Sequence, residues 1–85
     1  MKNTIERQRN IKILMKDGCT YQEAERHLDN GSVVFDSYDE YRQMELDNGT
    51  DEDEIHTAEE LKELYFDGLT GVEYNGNLYI VMYCL

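Results

Sequence analysis

The hydrophobic pattern is strongest at the C-terminal end of the chain, where eight successive residues, 78–85, are all apolar or aromatic. In an extended strand, successive side chains point to opposite faces. The run therefore divides into one face with Leu78, Ile80, Met82 and Cys84, and another with Tyr79, Val81, Tyr83 and Leu85. A strand that is apolar on both faces needs other elements to cover both of them.

A turn signal, Asn75-Gly76, precedes this strand. Both residue types tolerate the positive φ angles of a type I′ turn, which joins the two strands of a tight β-hairpin. Before the turn, Val72 and Tyr74 share one face of the first hairpin strand. A β-prone run at residues 32–35 is too short to stand alone, and we expect it to join the hairpin as a third strand.

Two helices are predicted in the first third of the chain. Thr4 can cap the first, which runs to about Lys16 and ends at Asp17-Gly18, because glycine accepts the left-handed conformation that follows a helix. Its apolar residues near one face are Ile5, Ile11, Leu14 and Met15. A capping box at residues 20–23 opens the second helix, so the pair is expected to form an αα-hairpin.

Capping-box signals at residues 37–40 and 57–60 predict a third and a fourth helix. The third ends at Asn48-Gly49, and the fourth continues to Gly68. A solvated acidic run, residues 51–54, lies between them. The apolar residues of the third helix are Tyr38, Tyr41, Met44 and Leu46, and those of the fourth are Leu61, Leu64 and Tyr65.

These elements predict the α+β class, with about four short helices packed on a small antiparallel sheet made of the C-terminal hairpin and a short third strand. With no proline and no linker-like segment, residues 1–85 are expected to form a single compact domain. Two cysteines are too few for a disulfide scaffold, and no secretory segment is recognised. A soluble protein of a reducing cytoplasm is the simplest interpretation.

The charge of the chain is strongly negative and unevenly distributed. The net charge is -11, with 19 acidic residues against 8 basic ones. Residues 1–27 hold six bases and four acids, whereas residues 28–85 hold two bases and fifteen acids. Such a field repels nucleic acids and attracts basic partners, so we expect a basic protein surface as the partner, and neither direct nucleic-acid binding nor membrane binding.

Metal binding is not supported by the spacing of possible ligands, which are Cys19, His27, His56 and Cys84. Zinc sites usually contain close pairs of ligands, but the closest pair here, Cys19 and His27, is eight positions apart. The acidic run after Asp47 does not fit an EF-hand, because Gly49 falls at position 3 and Ala58 at position 12. No metal and no other cofactor is predicted.

Catalytic motifs are absent from the sequence, which has no G-x-S-x-G, no phosphate-cradling glycine loop and no H-E-x-x-H. Cys19 precedes a helix N-terminus, where a thiol is more acidic, but His27 lies two turns along that helix. No catalytic residue and no enzymatic activity are predicted. Residues 11–28 have the rhythm of a helix-turn-helix, yet the second helix offers a poor set of side chains to phosphate, which favours a plain αα-hairpin.

The aromatic residues are mostly tyrosines, with seven tyrosines, two phenylalanines and no tryptophan. Tyr38 and Tyr41 share a helical face, and Tyr79 and Tyr83 share a strand face. Tyrosine fills half-buried positions where its hydroxyl stays wet, and it is also enriched at protein interfaces. The Tyr79 face is therefore a candidate partner surface or homodimer interface, if the helices leave it uncovered.

Two stretches resemble sequences of a known kind. D-G-x-T-Y-x-E-A at Asp17 to Ala24 and V-E-Y-N-G-x-x-Y-I-V-M-Y at Val72 to Tyr83 resemble small acidic proteins found in phages and mobile elements of Gram-positive bacteria. In size, acidity and lack of catalytic motifs, the chain is also similar in type to anti-CRISPR proteins. That resemblance implies binding to the basic nucleic-acid channel of a CRISPR nuclease, in some cases by imitation of DNA charge.

The predicted function is therefore that of a non-enzymatic acidic protein that binds a basic protein surface. Its most specific form is a phage-type inhibitor of a CRISPR effector nuclease, acting in the cytoplasm of a bacterial host by charge mimicry or steric block. The alternatives are an accessory or regulatory domain of a mobile element, possibly homodimeric through the C-terminal sheet, and a helix-turn-helix regulator. The residues expected to bind the partner are Asp51, Glu52, Asp53, Glu54, Glu59, Glu60, Glu63, Tyr38, Tyr41, Tyr79 and Tyr83.

Overall fold

The computed structural model describes residues 4–84. Its helices are α1 (Thr4–Lys16), α2 (Tyr21–Asp29), α3 (Tyr38–Asp47) and α4 (Ala58–Glu63), with a 3₁₀ turn at Glu52–Glu54. Its strands are β1 (Val33–Phe35), β2 (Leu69–Tyr74) and β3 (Asn77–Met82). Over this range the predicted α+β class is confirmed, since four helices accompany an antiparallel sheet of three strands.

The central strand of the sheet is β3, in the order β1-β3-β2, and both pairings are antiparallel. Asn75 and Gly76 join β2 to β3 with φ angles of 51° and 80°, as a type I′ turn requires. On its other side β3 pairs with β1, where Val34 lies opposite Val81. The predicted hairpin and the predicted third strand are both confirmed.

Helices cover both faces of the sheet. On one face, α1 and α2 enclose a buried cluster of Ile11, Ile13, Leu14, Ala24, Val72, Tyr79, Val81 and Tyr83. On the other face, α3, α4 and the segment between them enclose a second cluster of Tyr41, Ile55, Leu61, Leu69 and Ile80. Tyr79 and Val81 thus point into the first cluster and Ile80 into the second, as the alternation of the C-terminal run predicts. Thr4 is described only through its place in α1, so its predicted side-chain cap lies outside what the structure describes, as does the predicted orientation of Leu85.

The predicted apolar face of α1 is partly wrong. Ile11 and Leu14 are fully buried, but so is Ile13, whereas Ile5 is 81% exposed and Met15 is 43% exposed. The physical reason is that α1 contacts both α2 and β2, so its buried arc is shifted to include Ile13 and leaves out Met15. Its fully buried residues lie in the C-terminal half of the helix. At its first turn, Ile5 borders an open groove beside the hairpin turn, where the sheet ends.

The predicted end of the fourth helix is also wrong. α4 ends at Glu63, and Leu64 is already extended, with φ -127° and ψ 155°. The chain then makes a second tight turn, in which Phe66 and Leu69 exchange two backbone hydrogen bonds of 2.9 Å. Asp67 and Gly68 occupy this turn with φ angles of 47° and 93°, so Gly68 belongs to a β-turn and does not end a helix.

Candidate partner-binding surface

The acidic residues concentrate on the side of the molecule formed by α3, the 3₁₀ turn and α4, which we call the acidic layer (residues 38–63). This layer holds eleven acidic and two basic residues. On the opposite face of the sheet, α1 holds four basic residues and one acidic residue. All seven carboxylates predicted to bind a partner are exposed in the acidic layer: Asp51, Glu52, Asp53, Glu54, Glu59, Glu60 and Glu63.

The acidic run between α3 and α4 has a defined conformation. The backbone NH of Glu54 donates to the Asp51 carbonyl at 2.9 Å, which closes the 3₁₀ turn. Immediately after it, Ile55 enters the core with 8% exposure. The Tyr38 hydroxyl then donates to the His56 carbonyl at 2.6 Å. The run is therefore anchored at its C-terminal end, and its carboxylates project from a fixed turn.

Two of the seven carboxylates predicted to bind a partner, Glu60 and Glu52, have intramolecular contacts. Glu60 completes a capping box, because its Oε1 accepts the Thr57 backbone NH at 2.9 Å while the Thr57 hydroxyl accepts the Glu60 NH at 3.1 Å. The hydrogen bond from the Thr57 backbone lowers the pKa of Glu60 below its ordinary value. Glu52 pairs with Arg42 at 3.3 Å, with both side chains substantially exposed. Such an exposed pair contributes little to stability and leaves Glu52 accessible.

The capping box predicted at residues 37–40 forms only in part. The Ser37 hydroxyl accepts the backbone NH of Glu40 at 3.3 Å, as expected for an N-cap. The Glu40 carboxylate, however, accepts the NH of Asp36 at 3.4 Å and not that of Ser37. The boxes at Thr20 and Thr57 are complete.

Three of the four tyrosines predicted to bind a partner are buried, which corrects that part of the prediction. Tyr41 is 0% exposed, and its hydroxyl donates to Glu45 at 3.1 Å. Tyr79 is 8% and Tyr83 is 9% exposed, because α1 and α2 cover their face of the sheet. Tyr38 is half-buried, with its hydroxyl held by the His56 carbonyl. These rings therefore stabilise the fold, and the exposed members of the predicted set are the seven carboxylates.

The same packing removes the suggested homodimer interface on the C-terminal sheet. The face with Tyr79, Val81 and Tyr83 is a wall of the first core cluster and is not open to a second copy. Among the described residues, large apolar side chains with substantial exposure lie instead on helices, on the edge strand β1 and after α4: Ile5, Met15, Tyr21, Val33, Leu64 and Tyr65.

The two arginines of α1 are engaged within the molecule, whereas Lys12 and Lys16 are exposed. Arg7 lies 3.1 Å from Asp29, a residue of α2. Arg9 lies 2.7 Å from Asp36 and stands 5.1 Å from the centre of the Tyr79 ring. Because these contacts join α1 to its neighbours and α2 presents acidic residues, the αα-hairpin resembles a structural unit more than a DNA-reading helix-turn-helix.

The four possible metal ligands do not come together as one group in the described part of the chain. Cys19 and His27 border a common groove, whereas the His56 ring stacks on Phe66 with 3.9 Å between ring centres. Cys84 is exposed beyond the end of β3. In residues 4–84, no three or more His, Cys, Asp or Glu side chains are grouped so that they could hold a metal ion.

The groove beside Cys19 is a feature that the sequence pattern does not predict. It has a volume of about 310 Å³ and is lined by Asp17, Gly18, Cys19, Glu23, His27, Tyr65 and Tyr83. Tyr65 reaches it only because α4 ends early and the chain turns at Asp67-Gly68. The sequence signal for this position of Tyr65 is the Asp67-Gly68 pair, which is typical of a type I′ turn as well as of a helix end.

No helix within residues 4–84 is long and apolar enough to cross a membrane. Comparison of the chain with family models, with curated proteins and with solved structures finds no match. The resemblance to small phage proteins therefore depends on the two stretches at Asp17 to Ala24 and Val72 to Tyr83 alone.

Proposed function

We propose that this protein is a non-enzymatic interaction protein whose acidic layer binds a basic surface of another protein. One observation supports the proposal above all: eleven of the nineteen acidic residues lie between residues 38 and 63, and the seven predicted carboxylates among them are all exposed on one side of the sheet. Concentrated charge of one sign accelerates and orients association with a surface of the opposite sign.

The partner that we propose is a CRISPR effector nuclease in the cytoplasm of a bacterial host. Such nucleases hold their guide–target duplex in a positively charged channel, which is the kind of surface that an acidic layer complements. The protein would act as a phage-type inhibitor by charge mimicry or by steric block. The resemblance at Asp17 to Ala24 and at Val72 to Tyr83 supports a phage or mobile-element origin.

The anchored 3₁₀ turn favours charge mimicry by the acidic run. Because the Asp51 carbonyl and Ile55 fix this turn, its carboxylates need little further ordering when they bind. Binding by a preformed surface avoids the entropic cost of ordering a flexible loop. Five of the seven carboxylates are exposed and free of the capping and ion-pair contacts that involve Glu60 and Glu52: Asp51, Asp53, Glu54, Glu59 and Glu63. We expect these five to contribute most, and Asp53, Glu54 and Glu63 represent them in the test below.

The proposal is tested by assaying DNA cleavage by several purified CRISPR effectors with added protein, at several salt concentrations. Inhibition should be strongest at low salt, because salt screens contacts between exposed charges. Absence of inhibition at low salt across these effectors would overturn the specific proposal.

A matched pair of variants separates the acidic layer from net charge. Asp53→Asn, Glu54→Gln and Glu63→Gln together remove three charges from the layer, and Glu25→Gln, Asp67→Asn and Glu73→Gln together remove three from elsewhere. Arg7 keeps its closer partner Asp29 when Glu25 is neutralised. Exposed ion pairs contribute roughly 0.2–1 kcal/mol each, so the first variant should inhibit about tenfold more weakly than the natural protein. Inhibition by the second variant should change much less. Equal losses would show that only overall charge matters.

The alternative function is that of an accessory or regulatory domain of a mobile element that uses the same acidic layer on a different basic protein. A pull-down from a lysate spiked with CRISPR effector complexes distinguishes the two. Recovery of the nuclease supports the inhibitor, and recovery of another basic protein alone supports the accessory domain. The helix-turn-helix alternative predicts a band shift with duplex DNA at low salt, which the engaged arginines Arg7 and Arg9 disfavour.

A further inference from the structure

The groove between the α1–α2 turn and the end of the sheet combines carboxylates with aromatic rings. Asp17 and Glu23 contribute the carboxylates, and no lysine or arginine is among its lining residues. Tyr65 lies at the edge of the groove and is 59% exposed, and Tyr83 forms part of the wall of the groove. The His27 ring packs edge-on against Tyr83, with 4.8 Å between ring centres.

The two carboxylates of the groove are fixed in place and retain accepting capacity. The Tyr83 hydroxyl donates to Oδ2 of Asp17 at 2.7 Å, a contact that uses one of the two carboxylate oxygens. Oε1 of Glu23 accepts the backbone NH of Thr20 at 2.8 Å in the capping box. A carboxylate has about four acceptor sites, so each of these groups can accept further hydrogen bonds from a ligand.

Burial keeps Tyr83 in its neutral form beside Asp17. Burial and then the hydrogen bond to Asp17 raise the pKa of the Tyr83 hydroxyl well above its ordinary value. The phenol therefore remains a donor at neutral pH and orients the Asp17 carboxylate without adding a second negative charge to it. The negative charge of the groove belongs to Asp17 and Glu23.

Negative charge next to an exposed aromatic ring, that of Tyr65, selects a cation that is flat and weakly hydrated. A guanidinium group stacks on aromatic faces and forms paired hydrogen bonds with carboxylates, whereas an ammonium group is a strongly hydrated point charge. A volume of about 310 Å³ is at the lower end of ligand-pocket sizes, which suits one side chain better than a larger ligand.

We propose that this groove binds an arginine side chain of a partner protein, with the guanidinium group against Tyr65 and the carboxylates of Asp17 and Glu23. The site goes beyond the function proposed above, because its residues lie outside the acidic layer. Its test needs no knowledge of the partner, so failure here and failure of nuclease inhibition are separate results.

The direct test is a titration of the isotope-labelled full chain with N-acetyl-arginine amide, followed by backbone amide NMR signals. We expect saturable shifts at Gly18, Cys19 and Tyr65. N-acetyl-citrulline amide has nearly the same shape without the charge and should give far smaller shifts, and N-acetyl-lysine amide should bind more weakly than arginine. Absence of saturable shifts with arginine would overturn the proposal, and equal binding of lysine would overturn the assignment to arginine.

Matched variants locate the binding site. Tyr65→Ala removes an exposed ring and should weaken arginine binding by about two- to fivefold, which is the range of a solvent-exposed cation–π contact. Glu23→Gln removes the charge but retains the capping box, since glutamine serves equally at that position, and should also weaken binding. The controls are Leu64→Ala, an exposed neighbour outside the groove, and Glu59→Gln, which removes a distant charge. Controls that weaken binding as much as the groove variants would contradict the site.

Discussion

Gly71 lies where α4 crosses β2, and it shows how closely the second layer packs on the sheet. A Cβ at this position would lie 3.0 Å from the Leu61 carbonyl oxygen and 3.1 Å from Cδ1 of Leu78. The Leu78 side chain can rotate away, but a helix carbonyl moves only if α4 moves with it. The absence of a side chain at Gly71 therefore sets the distance between the acidic layer and the sheet.

We expect Gly71→Ala to lower the free energy of unfolding by about 1–3 kcal/mol, which is typical of overpacking in a core. Urea unfolding followed by circular dichroism measures it. Glu73→Ala is the control, because Glu73 is exposed on the same strand and should change stability by about 0.5 kcal/mol or less. If the two variants were equally stable, α4 would not be constrained in this way.

Tyr41 and Tyr83 have buried phenols hydrogen-bonded to carboxylates, and this gives the fold an alkaline limit. Burial raises the pKa of both above the ordinary value of 10.0. Because the folded pKa exceeds the unfolded one, the stabilisation is complete below pH 10.0 and is lost as the pH rises above that value, where the unfolded chain ionises.

In a spectrophotometric titration of the seven tyrosines, we therefore expect Tyr41 and Tyr83 to ionise only when the protein unfolds. Tyr83→Phe should reduce by one the number of tyrosines that ionise only on unfolding. Circular dichroism at each pH identifies the pH at which the protein unfolds. Ionisation of every tyrosine while the circular dichroism spectrum is still native would contradict the burial of these phenols.

At the scale of elements, the capping boxes of α2 and α4 connect helix stability to pH. Hydrogen bonds from the Thr20 and Thr57 backbones lower the pKa values of Glu23 and Glu60 below 4.5. Since the folded pKa is the lower one, the stabilisation is present above pH 4.5 and is lost as the pH falls through the folded pKa.

We expect Glu60→Gln to flatten the acid side of the stability–pH profile, because glutamine keeps the box without a titrating group. Thr57→Ala should destabilise the protein at neutral pH, because the NH of Glu60 loses its acceptor. Thermal unfolding at a series of pH values measures both. The control is Glu59→Gln, on the same helix but outside the box; an equal flattening in this variant would contradict a specific role of Glu60.

Local signals predict the hairpin well and the end of α4 poorly, for one physical reason. Asn75-Gly76 lies between two apolar alternations, so only a type I′ turn fits it. Asp67-Gly68 follows a helical pattern, and glycine at that place is equally compatible with a helix C-terminus and with a tight turn. Pairing of Phe66 with Leu69 decides between them, and that pairing depends on where β2 lies in the sheet.

For the whole molecule, the sequence places the acidic surface correctly but not the tyrosines. Exposure of a charged run follows from the cost of burying charge, so Asp51 to Glu54 can be assigned to the surface without a structure. Burial of Tyr79 and Tyr83 depends on whether α1 and α2 cover that face of the sheet, which is a tertiary fact. The groove beside Cys19 is still less predictable, because it joins residues 17–27 to residues 65 and 83.

The acidic layer should oppose folding as well as favour binding. Eleven acidic and two basic residues within positions 38–63 repel one another in the compact state more than in the extended chain. The one ion pair within the layer among the described residues, Arg42 with Glu52, is exposed and offsets little of this repulsion. A charge distribution that costs stability is what we expect of a surface whose role is recognition.

We therefore expect added sodium chloride to raise the melting temperature, because salt screens repulsion between exposed carboxylates over about 8 Å at physiological ionic strength. The variant with Asp53→Asn, Glu54→Gln and Glu63→Gln should melt higher than the natural sequence at low salt and respond less to salt. Scanning calorimetry at several salt concentrations measures both effects, with Glu25→Gln, Asp67→Asn and Glu73→Gln as the matched control. If the layer variant is both more stable and weaker in binding a basic partner, then the three replaced carboxylates serve binding at the expense of folding. A layer variant that is less stable would show instead that these carboxylates support the fold.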